Sequence, residues 1–446
     1  MDIKQTIAKS KLNRFHIGSM LMCLFVVMME GYDLVIFGSI VSHLIEEWQL
    51  STVTAGFIGS AALAGMMIGS FSLGILADKI GRKQVTILCL TTFSVFTGIS
   101  GFIHSAWLFA GCRFLAGLGI GGAMPNAIGL LSDYVPAKRR NIMVAITTTG
   151  MQIGGILAPV ISIAAVPTLG WRFCLYIAFI ALIAVPVMIR LLPNSLDNLY
   201  VRGKMEEIKR ILKKVSPETD SAEIQWTLGA SNTEKSPVVE LFRNNRALNT
   251  IMFWVAFFMG LLMIYGLNTW LPKLMETAGY SLGSSLVFLI VLNSVGLVGT
   301  VVLGQVADRM KNSRALLIGL YLVGAVVMAL IALVGNVTAA YILIGICGIC
   351  TFGSQNIGIA FVSHYYPGKI RTTGLGVCNT VGRVGGILGP TFGGILLAAQ
   401  LPMFYNCLAF AIPGVLASIA YVVVRHDRGG EKLPDIATVE SEALYH

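Results

Sequence analysis

Four charged residues fall where charge is costly. Glu30 and Asp33 lie in one long apolar run, Arg113 in a second and Arg383 in a third. An ionisable side chain inside a membrane-length apolar segment is a functional candidate by default. The two acids are three residues apart and so share one face of a helix. Gly31, between them, leaves room for a neighbouring helix or a ligand. A carboxylate can change its charge: burial favours the neutral form and a nearby cation the ionised one. A guanidinium keeps its charge and presents a fork that matches a carboxylate. An arginine for an anion, with a carboxylate for a proton, is what coupled movement of an acid and a proton requires. A structural charge network linking two helical bundles is the other use of the same four groups.

The elements carrying these residues follow from composition. Of 446 residues, 55% are hydrophobic and 12% charged, and the mean hydropathy is +0.78. That is about half the charge usual in a soluble protein, too little to cover a globule of this size. A hydrocarbon core about 30 Å thick needs roughly 20 apolar residues in a helix. By that ruler the chain holds twelve spans, near 17–43, 54–77, 84–105, 107–132, 142–165, 171–192, 247–273, 283–307, 314–335, 338–364, 371–399 and 402–424. Barrel strands would alternate over segments of about 10 residues, and these runs do not. The expected fold class is an all-α membrane protein.

A net charge of +10 could point to nucleic acid, but the mean hydropathy argues against that partner, and the placement of the cations supplies another explanation. Of the 32 Lys and Arg, 28 lie in the tails, the even-numbered connections and the long central loop. Only Arg172 and Lys273 fall in odd-numbered connections. The positive-inside rule then puts both termini in the cytoplasm. Lys4 to Arg14 precede the first apolar stretch as in a secretory signal, but that stretch continues to Leu44 without a small-residue cleavage site, so a retained span is expected. Cys347 and Cys350 have CxxC spacing in an apolar helix with no histidine cluster, which fits packing better than metal or redox chemistry. No metal, cofactor or enzymatic nucleophile–base pair is expected.

The chain reads as six spans, a polar stretch and six more: an N-terminal tail (1–16), a bundle (17–192), a central loop (193–246), a second bundle (247–424) and a C-terminal tail (425–446). Within the central loop, 203–229 has the mixed charge of a solvated interfacial helix. At an offset of 231, Pro136, Lys138 and Arg140 fall on Pro367, Lys369 and Arg371, and Gly154-Gly-Ile-Leu157 falls on Gly385-Gly-Ile-Leu388. The counterpart of Arg383 in the first half is the neutral Gln152. Six spans return the chain to its starting side, so the repeats are parallel, an arrangement of secondary transporters.

The segment Gly74-Ile-Leu-Ala-Asp78-Lys-Ile-Gly81-Arg82-Lys83 resembles the loop after the second helix in the major facilitator superfamily, with a degraded echo ending at Asp308-Arg309. That resemblance implies a twelve-helix major facilitator fold and a cytoplasmic gate formed by Gly74, Asp78, Gly81, Arg82, Asp308 and Arg309. Gly74 would permit close helix approach, and Asp78 would meet a helix N-terminus or a basic partner. Glu30-Gly-Tyr32-Asp33, the run Arg113 to Asn126, and Gly353-Ser-Gln355-Asn356 leading on to Gly382-Arg383 look like the aromatic acid:proton symporter branch. The branch implies proton coupling at Asp33 and Glu30 and a need for Arg113 and Arg383.

Gln355, Asn356, Asn126 and Tyr32 are further candidates for substrate contact. Two departures stand out: Glu30 replaces the branch's usual aspartate, and Pro193-Asn-Ser-Leu-Asp197 replaces an acidic and basic motif after the sixth helix. The expected protein is a bacterial-type, monomeric inner-membrane symporter of a small aromatic carboxylate, with protons and the lipid bilayer as its other partners. The alternative is a proton-coupled carrier of a non-aromatic organic acid.

Overall fold

The computed structural model describes residues 3–215, 238–310 and 312–424. Twelve long helices dominate it: α1 (Arg14–Trp48), α2 (Thr52–Ile80), α3 (Arg82–Ser100), α4 (Ala106–Tyr134), α5 (Arg140–Leu169), α6 (Trp171–Leu191, with a 3-10 turn at Ile177–Phe179), α7 (Ala247–Thr277), α8 (Leu282–Arg309), α9 (Ser313–Ile331), α10 (Val337–Tyr365), α11 (Gly368–Ala398) and α12 (Met403–Val423). Each coincides with an expected span. Eleven are long and apolar enough to cross a membrane by length and composition, and α3 is the one that is not. Its sequence opens on Arg82 and Lys83, and its buried face carries Thr86, Ser94, Thr97 and Ser100. Thr86 and Ser100 donate back to main-chain oxygens of their own helix, at 2.8 and 2.6 Å. Hydroxyls satisfied in this way let a polar helix be buried.

The chain divides into two compact units, Met1–Trp48 with Ala61–Ser231, and Gln49–Ser60 with Asn232–His446. In the first, α1 runs along α5, α3 along α4, and α1 also touches α4. In the second, α7 runs along α11, α8 along α10 and α9 along α12. The pairs α1–α5 and α7–α11 occupy matching places in the two repeats, and the repeated Gly-Gly-Ile-Leu lies in both. A Cβ on Gly154 would strike the carbonyl oxygen of Met28, and one on Gly385 that of Phe258. Gly31 abuts Met151 O in the same way, so the space it leaves is taken by a helix. Without a strong hydrophobic force between helices in lipid, such backbone contact carries much of the association.

After α6 come two short helices, Leu196–Val201 and Met205–Val215. The second buries Ile208, Ile211, Leu212 and Val215 and exposes its charged face. Asn13 Nδ2 donates to the terminal carbonyls of Lys214 and Val215 at 2.9 and 3.1 Å, capping it. The rest of the expected interfacial helix, 216–229, and the C-terminal tail from residue 425 lie outside the described residues.

Gly154→Val should push α1 from α5 and cost about 1–3 kcal/mol or more. The expected outcome is a lower melting temperature of the purified protein in detergent. Gly111→Ala, where an added Cβ meets nothing within 4 Å, should leave it unchanged.

Candidate functional site

Three helices of the first unit converge on one carboxylate. Asp33, in the middle of α1, accepts at Oδ1 from Arg113 Nη1 of α4 at 2.7 Å and from Thr97 Oγ1 of α3 at 2.5 Å. Arg113 Nη2 also donates to the main-chain oxygen of Asp33 at 2.9 Å. Arg113 is 2% exposed and Asp33 1%. Neither Asp33 Oδ2 nor Arg113 Nε has a hydrogen-bond partner among the described residues. Both side-chain bonds therefore go to one carboxylate oxygen, the third goes to the main-chain oxygen, and Oδ2 takes none among the described residues. Burying two charges costs several kcal/mol per ion, offset only by close pairing, so each partner requires the other.

Glu30, one turn before Asp33, is equally buried and lies within electrostatic reach of Cys89 on α3. Tyr32 points elsewhere: its hydroxyl donates to Cys174 O of α6 at 2.7 Å, bracing α1 against that helix. Asn126 donates to Gly122 O of its own helix at 2.8 Å. The structure thus brings Asp33, Arg113 and Thr97 together, keeps Glu30 next to them and leaves the Tyr32 hydroxyl outside the cluster. Thr97 carries no mark in the sequence beyond the unusual hydroxyl content of α3.

The second unit has its own polar centre. Gln355 on α10 is buried, and its Oε1 has no hydrogen-bond partner among the described residues. It stands with Tyr321 Oη of α9 over Gly260 of α7, where an added Cβ would lie 2.7 Å from each. The Tyr321 ring stacks on that of Tyr421 of α12 at 5.9 Å, and the Tyr421 hydroxyl likewise lacks a partner. Arg383 is half-buried on α11. Asn356 is exposed and donates to Phe352 O at 3.0 Å. The tyrosines were missed in the sequence because aromatic residues in spans mostly pack.

The residues expected at the gate sit at and near the junction of α2 and α3 and at the end of α8. Gly81 has φ +102 at the tight junction of α2 and α3. Arg82 Nη1 pairs with Asp133 Oδ1 at 3.0 Å, and Ser195 Oγ donates to Asp133 Oδ2 at 3.3 Å. Asp133, at the far end of α4, was not anticipated. The close approach expected at Gly74 is not made: an added Cβ would meet nothing within 4 Å, because α2 presents exposed Phe71 and Ile75 at this level. Asp78 is exposed, with no hydrogen bond or ion pair among the described residues. Arg309 is exposed, and the Asp308 side chain lies outside the described residues.

A duplicated twelve-helix chain with an ion pair sealed inside one repeat is the architecture of a secondary transporter. The Major Facilitator Superfamily model matches residues 23–390, and the chain belongs to that superfamily and, within it, to the aromatic acid:proton symporter family. It is 39% identical to the benzoate transport protein of Acinetobacter baylyi, over 100% of this chain and 99% of that one. It is 35% identical to the gentisate transporter of Corynebacterium glutamicum, over 90% and 85%. The fold matches the inward-open xylose transporter from E. coli with a TM-score of 0.71 at 16% identity, covering 95% and 99%.

Removing one member of the buried pair should expose its cost. Arg113→Met is expected to destabilise the protein by about 3–5 kcal/mol, and adding Asp33→Asn to recover most of that. Thermal melts of the two single variants and the double variant in detergent check the cycle; additive losses would mean that the charges do not depend on each other.

Proposed function

We propose that the protein takes up a small aromatic carboxylate of the benzoate or hydroxybenzoate type together with protons, by alternating access. The observation that carries this reading is the buried Arg113–Asp33 pair with its spare carboxylate oxygen. With Asp33 ionised and no substrate bound, the pair is neutral. A proton at Oδ2 leaves Arg113 as an uncompensated buried cation, and the substrate carboxylate restores neutrality. Either neutral state crosses at low electrostatic cost; proton alone or anion alone does not. Coupling is then charge balance in a low-dielectric interior. The names of the relatives supply the aromatic part, since benzoate and gentisate both carry a carboxylate on a ring.

In this reading Asp33 is the principal proton site and Glu30 an accessory one. Arg113 and Arg383 serve the anion, and Gln355 and Tyr321 hydrogen-bond the carboxylate or a ring hydroxyl. Asn356, Asn126 and Tyr32 have a lesser part, their side chains being engaged with the chain's own carbonyls. Arg82, Gly81, Gly74, Asp78, Asp308 and Arg309 form the cytoplasmic gate. The functional organisation is two six-helix bundles, 17–192 and 247–424, joined by the 193–246 loop. The protein acts as a monomer in the inner membrane, with both termini cytoplasmic, and converts no substrate chemically.

Uptake into proteoliposomes under an imposed pH gradient tests the reading. Benzoate and hydroxybenzoates should compete with labelled benzoate and aliphatic acids should not; competition from aliphatic acids alone would overturn the aromatic assignment. Asp33→Asn should lose gradient-driven accumulation, and full accumulation by that variant would sink the coupling role. Tyr321→Phe and Gln355→Ala should each raise the half-saturating concentration roughly 2- to 10-fold, the worth of one hydrogen bond.

A further inference from the structure

The first unit carries a second charged feature that this mechanism does not use. Beyond the end of α6, a cavity of about 480 Å³ is lined by Lys83, Arg190, Lys204, Arg210 and Lys214. Glu206 and Glu207 also line it, but both are engaged. Glu206 pairs with Lys209 at 3.1 Å, while Glu207 accepts from Asn194 at 2.5 Å and faces Lys204 at 4.0 Å. Lys83 spends one hydrogen on Ile189 O at 2.7 Å. The side chains of Arg190, Arg210 and Lys214 make no hydrogen bond or ion pair among the described residues. Five cations against two committed carboxylates leave a surplus of positive charge in a concave site, where fields are focused.

The cavity continues into an apolar track. Ile180, Ile183, Val187 and Leu191 follow one another at helical spacing along α6 and are 54%, 72%, 46% and 59% exposed. This stripe ends at the cavity rim, beside Arg190, and Phe15 and Ile211 line the cavity with Leu191. A free anion would use only the cationic part. A molecule with a phosphate at one end and hydrocarbon at the other uses both, and the bilayer around a membrane-spanning protein supplies it. Basic pockets beside transmembrane helices are suited to such headgroups, and Arg presents the fork that fits phosphate oxygens.

We propose that this cavity is a binding site for an anionic phospholipid, with its phosphate held by Lys83, Arg190, Arg210 and Lys214 and an acyl chain along the Ile180–Leu191 stripe. The bound lipid joins α3, α6 and the Met205–Val215 helix, elements otherwise linked there by few polar bonds. The proposal rests on the membrane-spanning fold and not on the identity of the transported acid.

The test uses the full-length protein purified in detergent and titrated with phosphatidylglycerol, phosphatidylcholine of the same chains, or inorganic phosphate. Thermal melting and native mass spectrometry are the readouts. Phosphatidylglycerol should raise the melting temperature and stay bound through mass analysis, and the other two should not. Arg190→Gln with Arg210→Gln should weaken phosphatidylglycerol binding by roughly 30-fold. Lys213→Gln, on the same helix but outside the cavity, should bind as the parent does. The single Arg210→Gln variant, on an exposed helix face, covers the case in which the double variant does not fold; its expected loss is roughly 5-fold. An equal response to inorganic phosphate would reassign the site to a free anion and overturn the lipid proposal. So would equal binding of phosphatidylcholine, or unchanged binding by Arg210→Gln. Since no transport is measured, these outcomes are independent of the uptake assays.

Discussion

A guanidinium cannot be neutralised by losing its proton at any working pH, so Arg113, buried to 2% exposure, dictates what surrounds it. Asp33 must face it, and α1 must approach α4 closely enough for the contact. Thr97 must reach the same oxygen from α3; its hydroxyl is one of several that, with Arg82 and Lys83, leave α3 less apolar than the other spans. The glycine contacts between α1 and α5 hold the carboxylate-bearing helix from the other side. The first unit's core is therefore organised by a charge that has to be balanced, and its apolar packing fits around that demand.

The helices were legible because a bilayer imposes one length and one composition on anything that crosses it. The four intramembrane charges were legible because nothing else in those runs resembles them. Their pairing was not: 80 positions separate Arg113 from Asp33, and two acids against two bases can be matched in several ways. Thr97 and Tyr321 stayed hidden because hydroxyl and aromatic groups inside spans usually bond to their own helix or pack. The surroundings of Gly74 were not legible from its motif either: an added Cβ there meets nothing within 4 Å. Asp133 lies outside the motif that holds its partner Arg82, so only the fold brings them together.

The two repeats share a scaffold and differ in their polar contents. Gly154 and Gly385 make the same backbone contact in their own units, so the packing survived duplication. The chemistry diverged, with Gln152 standing where the second repeat has Arg383. The first unit centres on a full ion pair, whereas the second places a neutral amide oxygen and a hydroxyl together over Gly260. Under the proposed mechanism, this division assigns the charge-changing task to the first repeat and recognition of ring shape and hydroxylation to the second.

One hydrogen bond has a consequence of its own. Arg113 is held to α1 by the Asp33 carboxylate and also, through Nη2, by the Asp33 main-chain oxygen. A peptide carbonyl does not titrate. This bond therefore ties Arg113 of α4 to α1 without calling on the charge of the side chain. In the proposed transport reading, the proton changes the electrostatics of the unit without removing this link between α1 and α4.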